Sequence, residues 1–257
     1  MLAPERHNQI EAILREKQTA GVAELSETLK VSPVTIRHDL NLMAEKGRLV
    51  RTHGGATAVD HHLNGEFSFG QRKSLKADEK QRIGSLAASL INPVESILLD
   101  SSTTALAVGE AIRRQPELGD LTIVTTGVHT GLAVVGTPGI TTILAGGILR
   151  DMTGSITGSL VIDVLEKINI NKAFLGAWGL TCEAGLTDTN LEEVELKQRI
   201  IARCPEVIIV IDGSKLGRVA LARFASIEKV SRLVTDSGAP PDLIREIEKQ
   251  GVEVLIA

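Results

Sequence analysis

Isoleucine and leucine recur at positions 10, 13 and 14 within a charged and polar stretch, the spacing that lines one face of a helix running from about Pro4 to Lys17. Gly21 breaks that pattern. Val22, Leu25 and Leu29 resume it over a short second helix, and Ser32-Pro33, a capping hydroxyl followed by a residue whose φ is already helical, begins a third. In the third helix Ile36, Leu40 and Met43 share an inward face, which leaves Thr35, Arg37, His38 and Asn41 pointing outward near its start, next to Ser32. Residues 48–56 then read as a strand, a Gly54-Gly55 turn and a second strand. Two short helices joined by a tight turn, the second presenting small polar groups and an arginine, have what is needed to enter a major groove. The strand pair is a wing, with Arg48, Arg51 and His53 as candidate phosphate or minor-groove contacts.

Between residues 58 and 74 no period survives, and the segment reads as a linker. Its adjacent His61 and His62 would point to opposite sides of an extended chain, with no cysteine or carboxylate cluster nearby, so the pair is read as loop rather than as a metal site. Beyond it, apolar β-rich runs at Ser96–Asp100, Leu121–Thr125, Ile140–Ala145, Lys172–Ala177, Glu206–Asp212 and Val252–Ile256 alternate with amphipathic helical stretches. That alternation predicts a mostly parallel sheet covered by helices on both faces. The expected organisation is a small all-α winged helix-turn-helix domain over 1–57, a linker over 58–74 and an α/β domain over 75–257.

Charge sharpens the reading of the first domain. The whole chain carries a net −4, yet residues 30–53 hold five Lys or Arg against two Asp or Glu, so the positive bias sits where the third helix and wing are expected. No apolar run approaches the roughly 18 residues of a membrane span, and the first residues lack a secretory pattern. The two cysteines, Cys182 and Cys204, fall short of a disulfide framework or a zinc site, which together with the preceding points suggests a cytoplasmic protein without cofactor or metal.

In a parallel α/β sheet, ligands sit at the carboxyl ends of the strands. The run Asp100-Ser101-Ser102-Thr103-Thr104 ends one strand and opens a helix, so free N–H groups, hydroxyls and the positive end of a helix dipole converge as an anion requires. It lacks the Gly-Lys-Ser/Thr of a nucleoside-triphosphate loop. Lys215 follows another strand in Asp212-Gly213-Ser214-Lys215 and supplies a candidate cation. Gly146-Gly147 ends a third strand and would let backbone approach a ligand. A loop at Gly185-Leu186-Thr187-Asp188 leads into a helix on which Glu193 and Lys197 stand four apart, the spacing of a helix-surface ion pair.

Residues 22–56, VAELSETLKVSPVTIRHDLNLMAEKGRLVRTHGGA, resemble the DNA-binding head of the DeoR family of bacterial regulators. The motifs DSSTT, AGG, LGAWGL, GLTD, EVELK and DGSKLG resemble, in order, the sensor domain of the same family. The resemblance implies a recognition helix over Pro33–Glu45 with Ser32, Thr35, Arg37 and His38 facing DNA, and a wing over residues 48–56. It also implies a sensor similar in fold to ribose-5-phosphate isomerase, with Ser101–Thr104 and Lys215 on a phosphate and Asp100, Asp188, Glu193 and Lys197 nearer the sugar. Two positions depart from the family pattern: His38 replaces a second basic residue or polar amide, and Trp178 a smaller or polar residue.

The implied function is a sequence-specific repressor of a sugar or polyol catabolic operon, modulated by a phosphorylated sugar. Its partners would be double-stranded operator DNA, the small phosphosugar and itself, as a homodimer or homotetramer, with no membrane. The alternative is an active sugar-phosphate isomerase, whose proton transfer needs a positioned carboxylate base. Against it, Trp178-Gly179 stand where the isomerase resemblance calls for an acidic pair, and Gln198 falls where it calls for the catalytic glutamate.

Overall fold

A computed structural model of the chain describes residues 2–17, 19–45, 48–52, 54–58, 68–115 and 118–257. The chain divides into two compact units, Met1–Leu75 and Lys76–Ala257.

In the first unit, α1 (Ala3–Lys17), α2 (Val22–Leu29) and α3 (Pro33–Glu45) enclose Ile10, Leu14, Leu25, Ile36, Leu40 and Met43, all buried at the positions the helical spacing requires. The turn between α2 and α3 passes through Lys30 in the left-handed region at φ 54°. The unit is not purely helical. β1 (Thr19–Gly21), β2 (Leu49–Thr52) and β3 (Gly55–Ala58) form an antiparallel sheet with β3 in the centre. Gly21, expected only to break a helix, pairs with Gly55, where a side chain would meet the Ala20 carbonyl oxygen at 2.0 Å. A buried ion triad ties α1 to α3: Asp39, 2% exposed, accepts from Arg6 Nη2 at 3.0 Å and bonds His7 Nε2 at 2.9 Å. Residues 69–74, expected to be linker, form α4 (Phe69–Ser74), held by a reciprocal cap in which Ser68 Oγ accepts from the Gln71 amide and Gln71 Oε1 from that of Ser68. His61 and His62 lie outside the described residues.

The second unit is built on seven parallel strands in the order β15-β14-β12-β9-β4-β5-β6. In chain order, α5 (Ala77–Ala88) leads to β4 (Ser96–Leu99), α6 (Thr103–Ile112), β5 (Leu121–Thr125), α7 (Val128–Val134) and β6 (Ile140–Leu144). A short hairpin of β7 (Ile148–Leu149) and β8 (Ile156–Thr157) precedes α8 (Ser159–Leu165) and β9 (Lys172–Leu175). Next come β10 (Gly179–Thr181), β11 (Gly185–Asp188), α9 (Leu191–Arg203), β12 (Glu206–Val210), β13 (Ala222–Ala225), β14 (Arg232–Thr235), α10 (Pro241–Lys249) and β15 (Glu253–Ile256). The pleat sends alternate residues to two cores. Ile97, Leu99, Phe174 and Ile208 pack with α5, α6 and α7, while Leu98, Ala173, Leu175 and Ile209 pack with α8, α9 and α10.

All six strands expected from the sequence form; four end a residue or two before the apolar run does, where the chain turns into a loop, Leu121–Thr125 keeps its bounds, and the last begins one residue later, at Glu253. Gly185–Asp188, expected as a loop, is instead the middle strand of an antiparallel sheet ordered β10-β11-β13, and β14 is an additional sheet strand. No helix among the described residues is long and apolar enough to cross a membrane.

Candidate functional site

Each unit carries one candidate surface. On the first, Ser32 caps α3, its Oγ accepting from the Thr35 amide at 3.2 Å and sharing a hydrogen bond with the Thr35 hydroxyl at 2.9 Å. Arg37, His38 and Asn41 are exposed along the outward face, and Thr35 is half-buried beneath them. Arg51 of the wing reaches that face, donating from Nε to Asn41 Oδ1 at 2.9 Å and from Nη1 to the Gly55 carbonyl. It therefore locks the wing against α3 at the exposed Gly54 and buried Gly55. Arg48, the other candidate phosphate contact, is held on α1. Its Nε lies 2.6 Å from Glu11 and its Nη2 3.0 Å from Asn8, both on α1, and the Glu11 hydrogen bond raises its pKa. A phosphate would have to compete with that pairing. Arg37 has no partner among the described residues, and His53 lies outside them.

The second unit's site forms where the sheet changes direction. From β4 the chain builds outward through β5 and β6 and then returns to add β9 on the other side of β4, so a crevice opens between the carboxyl ends of β4 and β9. Asp100, just after β4, bridges it: Oδ2 accepts from the Gly176 amide at 2.8 Å and Oδ1 from the Ser102 amide at 2.9 Å. The two loops approach so closely that a side chain at 176 would meet Ser102 Cβ at 2.5 Å, which only glycine avoids. Ser102 Oγ caps α6, accepting from the Ala105 amide at 3.0 Å. The amides of Thr103 and Thr104, the first two of the helix, have no partner among the described residues and remain donors for an anion.

Behind this loop Lys197 is buried. Its ammonium donates to Asp188 Oδ2 at 2.6 Å and the Gly176 carbonyl at 2.8 Å, stands 3.5 Å from Asp100 Oδ2, and lies 5.0 Å from the Phe224 ring centre. Burial alone would lower its pKa, but Asp188, Asp100 and Glu193 outweigh that and raise it above the lysine norm. The expected helix-surface pair between Glu193 and Lys197 is not what forms. Glu193 Oε1 accepts from Arg150 Nη1 at 2.7 Å and from Ser155 Oγ at 2.8 Å, and Ser155 in turn bonds Thr153 at 2.8 Å. Arg150, Thr153 and Ser155 were not singled out in the sequence. They reach the site because the β7–β8 hairpin folds over the end of β5, where Ser155 bridges Gly127.

Two further expectations resolve differently. Gly147 is required by its own fold, since a side chain there would lie 2.6 Å from the Thr157 carbonyl oxygen, whereas Gly146 is open. Lys215 stands in the turn after β12, with its ammonium 4.4 Å from the Trp178 ring centre. Strands β12 and β4 flank β9, so Lys215 and Ser101–Thr104 lie on either side of the segment Gly176–Trp178, with their parent strands about 10 Å apart. The departure at Trp178 thus supplies a platform for the cation.

A capped recognition helix with a wing, joined in one chain to a parallel α/β unit with a polar site at its strand switch point, defines a ligand-responsive transcription regulator of the helix-turn-helix class. The DeoR C terminal sensor domain family matches residues 75–237 and the DeoR-like helix-turn-helix domain family residues 6–62; the chain belongs to the DeoR family. Among its relatives, the HTH-type transcriptional regulator GolR of Listeria innocua serovar 6a is 33% identical, with 98% of each chain covered. The glycerol-3-phosphate regulon repressor of Escherichia coli K12 is 30% identical, with 99% of each covered. A ribose 5-phosphate isomerase A structure from Methanocaldococcus jannaschii shares 17% identity over 55% of each chain, with a TM-score of 0.40.

Proposed function

We propose that the chain represses a sugar or polyol catabolic operon, and that a phosphorylated sugar in the second unit modulates its hold on operator DNA. The observation that carries this reading is the site at the β4–β9 switch point. Two free amides and the threonine hydroxyls at the start of α6 suit a phosphate, Lys215 on Trp178 suits its charge, and the carboxylates of Asp100, Asp188 and Glu193 suit sugar hydroxyls. A sensor is favoured over an isomerase because each of these carboxylates is engaged, two by Lys197 and one by Arg150 and Ser155, so none stands ready as a general base. Repression of a glycerol-3-phosphate regulon by one relative agrees with a phosphorylated polyol or sugar as the class of effector.

Two heads are expected to act together, since one recognition helix makes few base contacts and specificity normally needs two half-sites. Effector and operator then share one equilibrium, so whatever factor the sugar imposes on DNA affinity, DNA imposes on sugar affinity, typically worth about 1–3 kcal/mol. The test is an operator titration with and without a panel of sugar and polyol phosphates at millimolar concentration. Lys215→Ala is expected to abolish the response while leaving effector-free DNA affinity within about twofold; an unchanged response at the same ligand concentration would place the phosphate elsewhere. In the same assay Arg37→Ala should lower the slope of log affinity against log salt by about one, the contribution of one phosphate contact. An unchanged slope would mean that Arg37 does not neutralise phosphate.

A further inference from the structure

The sheet of the second unit has two edges, and they are protected differently. β15 carries Glu253, whose carboxylate pairs with Arg232 of β14, and a charge on an edge strand discourages pairing with another chain. β6, at the other edge, reads Ile-Thr-Thr-Ile-Leu: it has no charge or proline, and none of its five residues is fully buried. Around it Leu132 and Val135 of the α7 region, Leu144 at the end of β6, Ile148 and Leu149 of β7 and Leu160 of α8 each keep between 46% and 70% of their surface exposed. Leu144 reaches over Gly131 of α7, and Ile148 over Gly158 at the start of α8, so the apolar side chains continue from one element to the next.

We propose that β6 and this apolar rim form a two-fold interface between the second units of two copies of the chain, with β6 pairing antiparallel to the same strand of the partner copy. The six side chains expose roughly 700 Å² per copy, close to the ~800 Å² per partner of a standard stable interface. An edge strand paired to itself about a dyad satisfies its open row of N–H and C=O groups on both copies at once, joining two sheets into one. Self-contact also demands that no like charges meet. α7, β6 and β7 contain no aspartate, glutamate, lysine or arginine, and α8 contributes one exposed carboxylate, Asp163, three residues past Leu160, so the β6 centre of this surface tolerates its own image and the charge sits toward α8. The proposal rests on the two-headed reading above and adds where the copies join.

The full-length chain is to be measured by sedimentation over a concentration series, as wild type and as Leu132→Lys and Leu149→Lys, with Val94→Lys as a control equally exposed in the turn before β4. The wild type is expected to be a dimer or larger at micromolar concentration. Each of the first two variants should weaken association at least tenfold with unchanged circular dichroism, any fall in melting temperature shrinking as the wild type is diluted toward the monomer, and Val94→Lys should have no effect. Variants that are folded and associate as the wild type does would overturn the surface but leave the two-headed reading standing; a monomeric wild type would overturn both. As a second measurement, a spin label at Thr141→Cys, with Cys182→Ser and Cys204→Ala removing the two native thiols, should lie within about 20 Å of its mate, because paired strands run about 4.8 Å apart and the label arms supply the rest. A longer distance would rule out the β6 pairing.

Discussion

Lys197→Met is expected to destabilise the second unit by about 3–5 kcal/mol, the cost of leaving a buried charge without its partner. Removing the ammonium leaves Asp188 and Asp100 buried and facing each other across the space it filled, with the Gly176 carbonyl stripped of a donor. The chain has two units, so the measurement is urea denaturation followed by probes that separate their transitions. The transition of Lys76–Ala257 should move to lower urea, and that of the first unit should stay. Lys197→Met combined with Asp188→Asn removes one of the orphaned charges and should recover part of the loss, since residues in one network are not additive. A loss below 1 kcal/mol in the single variant would mean that water reaches the cluster and screens it.

Asp39→Ala should destabilise the first unit by about 1.5–3 kcal/mol, because Arg6 and His7 lose the acceptor they share. Against the marginal stability of a unit this small, that loss is expected to unfold it and abolish DNA binding, while the second unit still binds its effector. The same triad sets an acid limit. Burial pushes the Asp39 pKa up, yet the hydrogen bonds and charges of Arg6 and His7 outweigh it and hold the carboxyl below its ordinary range. A carboxylate whose pKa falls on folding stabilises fully above its unfolded value of about 3.9, and that contribution is lost as pH drops through the folded value. Acid unfolding of the first unit should therefore begin below about pH 4 in the wild type, and Asp39→Asn should flatten that dependence. An identical acid transition in the two proteins would remove Asp39 from the account.

How much of this could be read from the chain depended on the range of the interaction. Ile36, Leu40 and Met43 repeat at helical spacing, and Ile208, Ile209 and Val210 sit in an unbroken apolar run, so local pattern alone places α3 and β12. β14 has only Leu233, Val234 and Thr235 after an arginine, too short a run to stand out, although its neighbours on both sides give it a full ladder of partners. β1 is three residues long and owes its existence to β3, which is 34 residues further on at closest pairing. The site shows the same division. Ser101–Thr104 announce themselves as a helix start after a strand, whereas Arg150 and Ser155 acquire meaning only when a hairpin carries them to Glu193, about 40 residues away. Spacing of four suggested that Glu193 pairs with Lys197; the fold instead offers each a partner outside the helix, and the buried lysine takes two aspartates.

The placement of Lys215 over Trp178 has an optical consequence. The sequence contains one tryptophan and no tyrosine, so ultraviolet emission from this protein arises almost wholly from a single indole at the edge of the candidate phosphate site. An ammonium 4.4 Å from the ring centre sits in the field that governs the colour and yield of that emission. An anion that draws the lysine aside is expected to change that emission, which would make the indole an unlabelled reporter of occupancy.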